Sequence, residues 1–419
     1  MNTFDQIIGY ESIKEELMWY CDILKNPERY EALGVNGPRG ILLAGDPGVG
    51  KSLMSKALIE ESGRASFTLR KNLPNGEFVK EIKHIFDEAA KQAPSVVFLD
   101  DVDKFANCDS PNTDAEEYVT IQACMDECRD KEVFVIATAN DRYLLPDSLV
   151  RPGRFDKVID VPLPTGKESE KIIEFYLKSK RLDDDVDCKE ISNLIGNRSC
   201  ATLESIVNEA GIMAAYKKKD KIRREDLINA CIRYIYRAPI ARGDDLPEAW
   251  TVALHEAGHV AIAETLMPGS VSAVYLGVAD ELTRGFTVIK KNDCNYHTKE
   301  MKEFDILNSF GGKAVLEVFE GKQDVGCYRD LDDAFYEIRN MVRDLCIFGL
   351  EGYLFDRYSS DKRKAEMEEI VIREAKRYYD RAKEIIAKNR LFIAAIQVAL
   401  VEKRVLTQRD VKAIREGIV

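Results

Sequence analysis

Unbroken apolar runs of strand length stand out in the first part of the chain. "GILLA" (40–44), "SVVFL" (95–99) and "VFVIATA" (133–139) each end in glycine-rich or polar residues. Runs this short and this continuous predict buried strands. The segment after the first, "LMSKALIEES" (53–62), carries a helical spacing instead. Later the pattern changes. In "TVALHEAGHVAIAE" (251–264) the residues Val252, Ala253, Val260, Ala261 and Ile262 predict a helix that buries one side. "LFIAAIQVALV" (391–401) predicts a packed helix, being too short an apolar run to cross a bilayer. No internal repeat or low-complexity linker interrupts these patterns.

The polar ends of the strands carry chemistry. "GILLAGDPGVGKS" is a strand, then Gly45, Asp46, Pro47, Gly48, Val49 and Gly50, then Lys51 and Ser52 opening a helix. Glycines let backbone N–H groups wrap phosphates at a helix N-terminus, a lysine reaches the β and γ phosphates, and a serine hydroxyl serves Mg²⁺. "SVVFLDD" ends in Asp100, placed to hold Mg²⁺, and Asp101, placed to polarise an attacking water. "VFVIATAN" ends in Asn140, suited to sensing the γ-phosphate. The turn "SLVRPGRFD" presents Arg151 and Arg154, which make sense as fingers inserted into a neighbour's nucleotide site and therefore imply a ring.

The helix at 251–264 holds two of the chain's four histidines, His255 and His259. Positions i and i+4 share a helix face, so both imidazoles can reach one tetrahedral zinc ion. Glu256 sits beside the first, where a carboxylate can take a proton from water, and Gly258 leaves the face beside the second bare. A third ligand is needed. His297, in the polar stretch "NDCNYHTKE", is a candidate on chemistry alone.

The net charge of −12 disfavours a broad nucleic-acid footprint. The basic run "YKKKDKIRRED" (216–226) reads as a solvated helix end and turn. Ten cysteines occur singly, with no CxxC pair and no preceding signal peptide, which fits a reducing cytoplasm. Cys124 and Cys128 share a helical face in "ACMDEC" and read as buried small residues.

Together with "FDQIIGYESIKEEL" (4–17) and "ATANDRYLLPDSLVRPGRFDKVIDVPLP" (137–164), these segments resemble an AAA+ ATPase module, and "CATLESIVNEAGIMAA" (200–215) resembles its helical lid. With "HEAGH" downstream, their order resembles the FtsH family of ATP-dependent zinc metalloproteases over essentially the whole chain. The resemblance implies an α/β AAA+ P-loop NTPase domain with a helical lid, followed by a mostly α-helical zinc metalloprotease domain. The boundaries it suggests are 1–165 for the large ATPase subdomain, 166–238 for the lid, 239–248 for a linker and 249–419 for the protease. It implies ATP with Mg²⁺ on the loop and on Ile8 and Gly9, and zinc as the second cofactor. It implies protein substrates and a homo-oligomer, a hexamer by analogy, without a membrane span in this chain and in the cytoplasm.

The third zinc ligand follows from the same resemblance. The family places an aspartate within a segment similar to "YRDLDDAFYEIRNMV", and matching back from Arg339-Asn340-Met341-Val342 puts Asp330 on the ligand position in preference to Asp332 and Asp333. "RGFTVI" (284–289) resembles an edge strand along which an extended substrate pairs, and "FGGKAVLEVFEG" (310–321) a helix whose apolar residues are core.

Four features depart from the family. Asp101 stands where a glutamate is usual, which implies slow ATP turnover. The region of the substrate-gripping pore loop reads "RKNLPNGEFVK", with Phe78 as its single aromatic. The chain starts directly at the ATPase, the expectation being a natural branch without the usual membrane helices. Ala238 replaces a hinge glycine, which implies a smaller motion. Two alternative functions follow: a zinc peptidase whose ATPase merely gates, or a chaperone-like remodeller with a scaffold protease domain.

Overall fold

The computed structural model describes residues 3–35, 37–106, 115–237, 248–277, 284–290, 298–323, 326–349 and 360–417. His297, Ala238 and most of the expected linker lie outside the described residues. The chain divides into two compact units, residues 1–180 with 197–209, and residues 181–196 with 210–419. The segment expected to form one lid is therefore shared between them.

The first unit holds helices α1 (Glu11–Lys25), α2 (Pro27–Glu31), α3 (Lys51–Ser62), α4 (Asn75–Lys91), α5 (Glu116–Glu127) and α6 (Gly166–Leu177). Its strands are β1 (Gly40–Ala44), β2 (Ala65–Leu69), β3 (Ser95–Leu99), β4 (Val133–Ala139) and β5 (Lys157–Asp160). They form one sheet in the order β2-β3-β4-β1-β5 with every pairing parallel. β1, β3 and β4 are buried at every position, as their unbroken apolar runs require of strands covered on both faces. Parallel strands end on one edge, so Gly45, Asp100 and Asn140 emerge together after β1, β3 and β4.

Phe78 does not belong to a loop. It is fully buried in the first turn of α4, packed edge-on against Phe105 with 4.9 Å between ring centroids. The exposed residues before α4 are Arg70, Asn72, Leu73 and Pro74, so no aromatic side chain is presented there. On α5 and at its end, Cys124 and Cys128 are buried in the core, as expected of small residues on one helical face.

The second unit contains α7 (Cys188–Ile195), the later part of α8 (Cys200–Tyr216) and α9 (Arg224–Tyr236). It continues with α10 (Ala249–Leu266), β6 (Val271–Leu276), β7 (Gly285–Ile289), α11 (Lys299–Ser309), α12 (Gly311–Glu320) and α13 (Tyr328–Arg343). It ends with α14 (Asp361–Lys388), α15 (Arg390–Lys403), β8 (Val405–Thr407) and α16 (Gln408–Glu416). The strands make an antiparallel sheet in the order β7-β6-β8, in which β7 pairs on one side only among the described residues.

α10 is the centre of this unit. Ala253, Leu254, Ala257, Val260, Ala261, Ile262 and Ala263 are all buried, because α12 and α15 cover it and β6 lies against it. A helix apolar nearly all round is a core helix rather than a surface one. The basic run after α8 is only partly solvated. Lys217 and Lys218 are exposed, but Arg224 donates to both oxygens of Glu190 at 2.6 and 2.7 Å and to Thr407 Oγ1 at 2.6 Å. Asp410 lies 3.3 Å from the same guanidinium. A planar fork with five donors suits this convergence of acceptors from distant segments.

Candidate functional site

The loop after β1 is shaped by glycine. Gly48 and Gly50 have φ of 80° and 102°, and Gly50 is the residue on which α3 starts. At Gly45 a Cβ would lie 2.1 Å from the Val161 carbonyl oxygen, and at Gly48 one would lie 2.8 Å from Ala201 Cβ. No other residue fits at Gly45. The α3 N-terminus therefore stays open to an anion, with its first backbone N–H groups unclaimed by the helix.

Around this loop lies a cavity of about 570 Å³ lined in part by Ile8, Tyr10, Gly48, Lys51, Asn140 and Tyr176. Gly9, at φ 75°, turns the chain between two of those residues without lining the cavity itself. Lys51 is 5% exposed and its ammonium donates to the carbonyls of Gly45 and Asp46 and to Asn140 Oδ1 at 2.7, 3.0 and 2.9 Å. Burial lowers its pKa, opposed by the nearby carboxylates of Asp101, Asp103 and Asp46.

Asp100 is held between two hydroxyls: Ser52 Oγ and Thr138 Oγ1 both donate to its Oδ1, at 3.0 and 2.9 Å. Ser52 and Asp100 thus form a pair of hard oxygens of the kind Mg²⁺ prefers. Asp101 has φ 57°, a left-handed conformation uncommon outside glycine. Its Oδ2 accepts from Lys104 Nζ at 2.7 Å and its Oδ1 from Asn140 Nδ2 at 3.4 Å.

The two arginines of the following turn behave differently. Arg151 is exposed. Arg154 is 8% exposed and donates to Asp126, to Gln122 Oε1 at 2.7 Å and to the Ser148 carbonyl at 2.6 Å. Neither lines the cavity. The expectation of two free fingers meets a turn in which Arg154 is engaged inside its own unit, since Asp126 and Gln122 on α5 face it.

In the second unit His255, His259 and Asp330 converge, each offering one ligand atom, with all three atoms within 4.8 Å of one another. Asp330 Oδ2 is 3.1 Å from His255 Nε2 and 3.4 Å from His259 Nε2, and the two Nε2 atoms are 3.1 Å apart. Ligands about 2.0–2.1 Å from a tetrahedral zinc ion stand about 3.3 Å from each other, so this spacing fits the ion. His259 Nδ1 donates to the Asn308 carbonyl at 2.7 Å, which turns its Nε2 lone pair toward the other two ligands.

Asp330 lies in the first turn of α13, where a carboxylate is favoured by the helix dipole. Burial raises its pKa, but the bonds from His255 and His259 outweigh that and hold it well below the usual carboxylate range. Burial likewise lowers His259, and the bond and charge of Asp330 outweigh it upward. Asp333 lines the same cleft without joining the three, and its pKa is raised by burial and by the neighbouring carboxylates. Asp332 is outside the group, and His297 outside the described residues.

Glu256, 5% exposed, accepts from Thr287 Oγ1 at 2.7 Å. A cleft of about 710 Å³ runs past it, bounded by Gly285, Phe286 and Thr287 of β7 and by Tyr328, Arg329 and Asp330 of α13. The edge strand expected at 284–289 is thus in place along the cleft.

Gly258 serves a different purpose from the one its sequence position suggested. A Cβ there would lie 2.5 Å from the Gly311 carbonyl oxygen, so Gly258 lets α10 and α12 touch backbone to backbone. Gly312, next along α12, makes room for an imidazole: a Cβ on it would lie 2.2 Å from His255 Cε1. Gly312, Thr287 and Asn308 were not singled out from sequence. The doubled glycine in "FGGKAV" is the one signal that could have marked the first, because Gly pairs inside a helix disfavour it unless something packs close.

Residues 41–163 match the family model described as ATPase family associated with various cellular activities (AAA). Among curated proteins, the ATP-dependent zinc metalloprotease FtsH of Caldicellulosiruptor bescii is 30% identical, the match covering 97% of this chain and 71% of the relative. FtsH 1 of Thermomicrobium roseum is 30% identical over 98% of this chain and 68% of its own length. The FtsH of Aster yellows witches'-broom phytoplasma is 28% identical over 98% and 64%.

Proposed function

Because the chain belongs to the FtsH family of ATP-dependent zinc metalloproteases, we propose that it couples ATP hydrolysis in its first unit to the cleavage of protein substrates in its second. The observation that carries this reading is the convergence of His255, His259 and Asp330 beside Glu256 in a cleft flanked by β7, the end strand of its sheet among the described residues. A scaffold would need none of these polar groups to meet in a protein interior.

His255, His259 and Asp330 would hold a zinc ion, which when bound supplies Lewis acidity toward a peptide carbonyl and toward water. Glu256 accepts the proton of the attacking water and returns it to the leaving amine, so that one water is consumed for each peptide bond broken. β7 pairs an extended substrate by backbone hydrogen bonds along its outer edge. In the first unit, Gly45 to Gly50 would wrap the phosphates of ATP, Lys51 would neutralise them, and Ser52 with Asp100 would hold Mg²⁺. Ile8 borders the base, and Gly9 sets the turn that places it. Asp101 orients the attacking water and Asn140 reads the γ-phosphate.

The oligomer follows as part of the same proposal: a hexameric ring in which exposed Arg151 reaches a neighbour's nucleotide while Arg154 fixes the turn that carries it. The boundaries 1–165, 166–238, 239–248 and 249–419 are proposed as functional divisions. A cytoplasmic setting is supported by eight free cysteines among the described residues. No described helix is long and apolar enough to cross a membrane.

The test is degradation of casein by the purified protein with ATP, with a non-hydrolysable analogue and without nucleotide, using Glu256→Gln as the blank. Degradation that requires hydrolysis is expected. Equal rates with the analogue would reduce the ATPase to a gate, and rates no different from the blank would sink the protease reading.

A further inference from the structure

Glu256 carries the proton in the reading above, and its carboxylate does not stand alone. Thr287 Oγ1 donates to Glu256 Oε2 at 2.7 Å across the space between β7 and α10. The strand is aimed to do this. Phe286 stacks on Tyr275 of β6, with 5.0 Å between centroids and 26° between planes, and Thr287 pairs in register with Val274. Side chains alternate along a strand, so fixing Phe286 on one face puts Gly285 and Thr287 together on the other.

Gly285 contributes by lacking a side chain. A Cβ there would lie 3.1 Å from both Cγ and Oε1 of Glu256 and 2.9 Å from Val252 Cγ1. Two strand positions on one face thus treat the two carboxylate oxygens unequally: Oε2 is bound by a hydroxyl, and Oε1 lies against bare backbone. A buried carboxylate without such a partner would turn about its last side-chain bonds, which are broad in their preferences.

We propose that Thr287 is a positioning residue for Glu256, binding Oε2 so that Oε1 is held to exchange the proton with water and the leaving amine. In this role the hydroxyl acts through the carboxylate, by restricting it. This rests on the protease reading of the cleft. A misplacement of about 1 Å in a reacting group costs on the order of 100-fold in rate, which sets the scale of the expected loss.

The experiment compares wild type, Thr287→Val and Thr287→Ser on casein with ATP, measuring kcat and KM, bound zinc per chain and the melting midpoint. Valine keeps the shape and the strand preference and removes the donor. Its kcat is expected to fall on the order of 10- to 100-fold with KM and zinc content unchanged, because substrate and metal binding do not use the hydroxyl. Serine is expected to restore kcat to within about threefold of wild type, since it returns the donor. If Thr287→Val does not fold, Thr287→Ala, which also lacks the hydroxyl, takes its place.

A valine variant as fast as wild type overturns the proposal while leaving the protease reading intact. A serine variant as slow as the valine one, or a loss that falls on KM or zinc content, overturns it in favour of a packing role. A wild type that cleaves no better than Glu256→Gln removes the protease reading, and the positioning role falls with it.

Discussion

Between β1 and α3 the chain prepares for an anion with its backbone, whereas beside α10 it prepares for a cation with side chains. The first site is one continuous loop in which glycines remove every obstacle: Gly45 and Gly48 sit where a Cβ would collide with Val161 and Ala201. The second joins His255 and His259 on α10 to Asp330 on α13, with Asn308 and Gly312 from α11 and α12 setting the imidazoles. An anion the size of a phosphate is met by many weak N–H dipoles, which a tight turn supplies locally. A metal ion needs a few strong donors at fixed separations, and a single helix cannot supply three of them on one side.

This difference makes the two sites separable by mutation. The largest effects should come from a crossed pair. Gly45→Ala should weaken ATP binding at least about 100-fold, because its Cβ must displace Val161, and leave zinc content untouched. Asp330→Ala should abolish casein cleavage, about 1,000-fold or more, with loss of zinc and with nucleotide binding retained. Fluorescent-nucleotide titration and metal analysis on the same samples read both. If either variant loses both ligands, the sites are not independently built.

Gly312→Ala should be intermediate. The methyl group meets His255 with α12 already packed on α10, so zinc affinity should fall roughly 10- to 100-fold while the histidines themselves remain. Competition with a chelator measures it, and unchanged affinity would mean that His255 can turn away without cost. The smallest effect should be a gain. Asp101→Glu advances the carboxylate by one methylene past its bonds to Lys104 and Asn140, and should raise ATP turnover about three- to tenfold with KM for ATP little changed. A steady-state ATPase assay in which turnover stays flat or drops would remove Asp101 from the role of orienting water.

Much of the phosphate loop was legible in the sequence because its residues stand in one short run, although Gly45, Gly48, Lys51 and Ser52 each meet a distant segment. Gly45 to Ser52 needed only the strand before and the helix after. Asp100 and Asn140 were legible for a related reason, since each ends an apolar strand and parallel strands share an edge. The arginines were harder. Nothing local distinguishes Arg151 from Arg154, and only the packing of α5 shows that Gln122 and Asp126 claim the second. Phe78 shows the same limit: an aromatic residue near a loop can face out or in, and Phe105 decides that it faces in.

In the metal cleft, the i, i+4 spacing of His255 and His259 determined by itself that two imidazoles share a face, and the adjacent Glu256 came with them. Choosing Asp330 over Asp332 and Asp333 required a family pattern at the level of sequence. In the structure the choice is made by rotation about α13, where consecutive residues point about 100° apart and only Asp330 meets both histidines. Sequence alone therefore determined strands β1, β3 and β4, the phosphate-loop residues and the histidine pair, each marked by a pattern only a few residues long. Tertiary structure decided what Gly258, Gly312, Thr287 and Arg154 do, because the atoms that give each its purpose belong to segments far away in the chain.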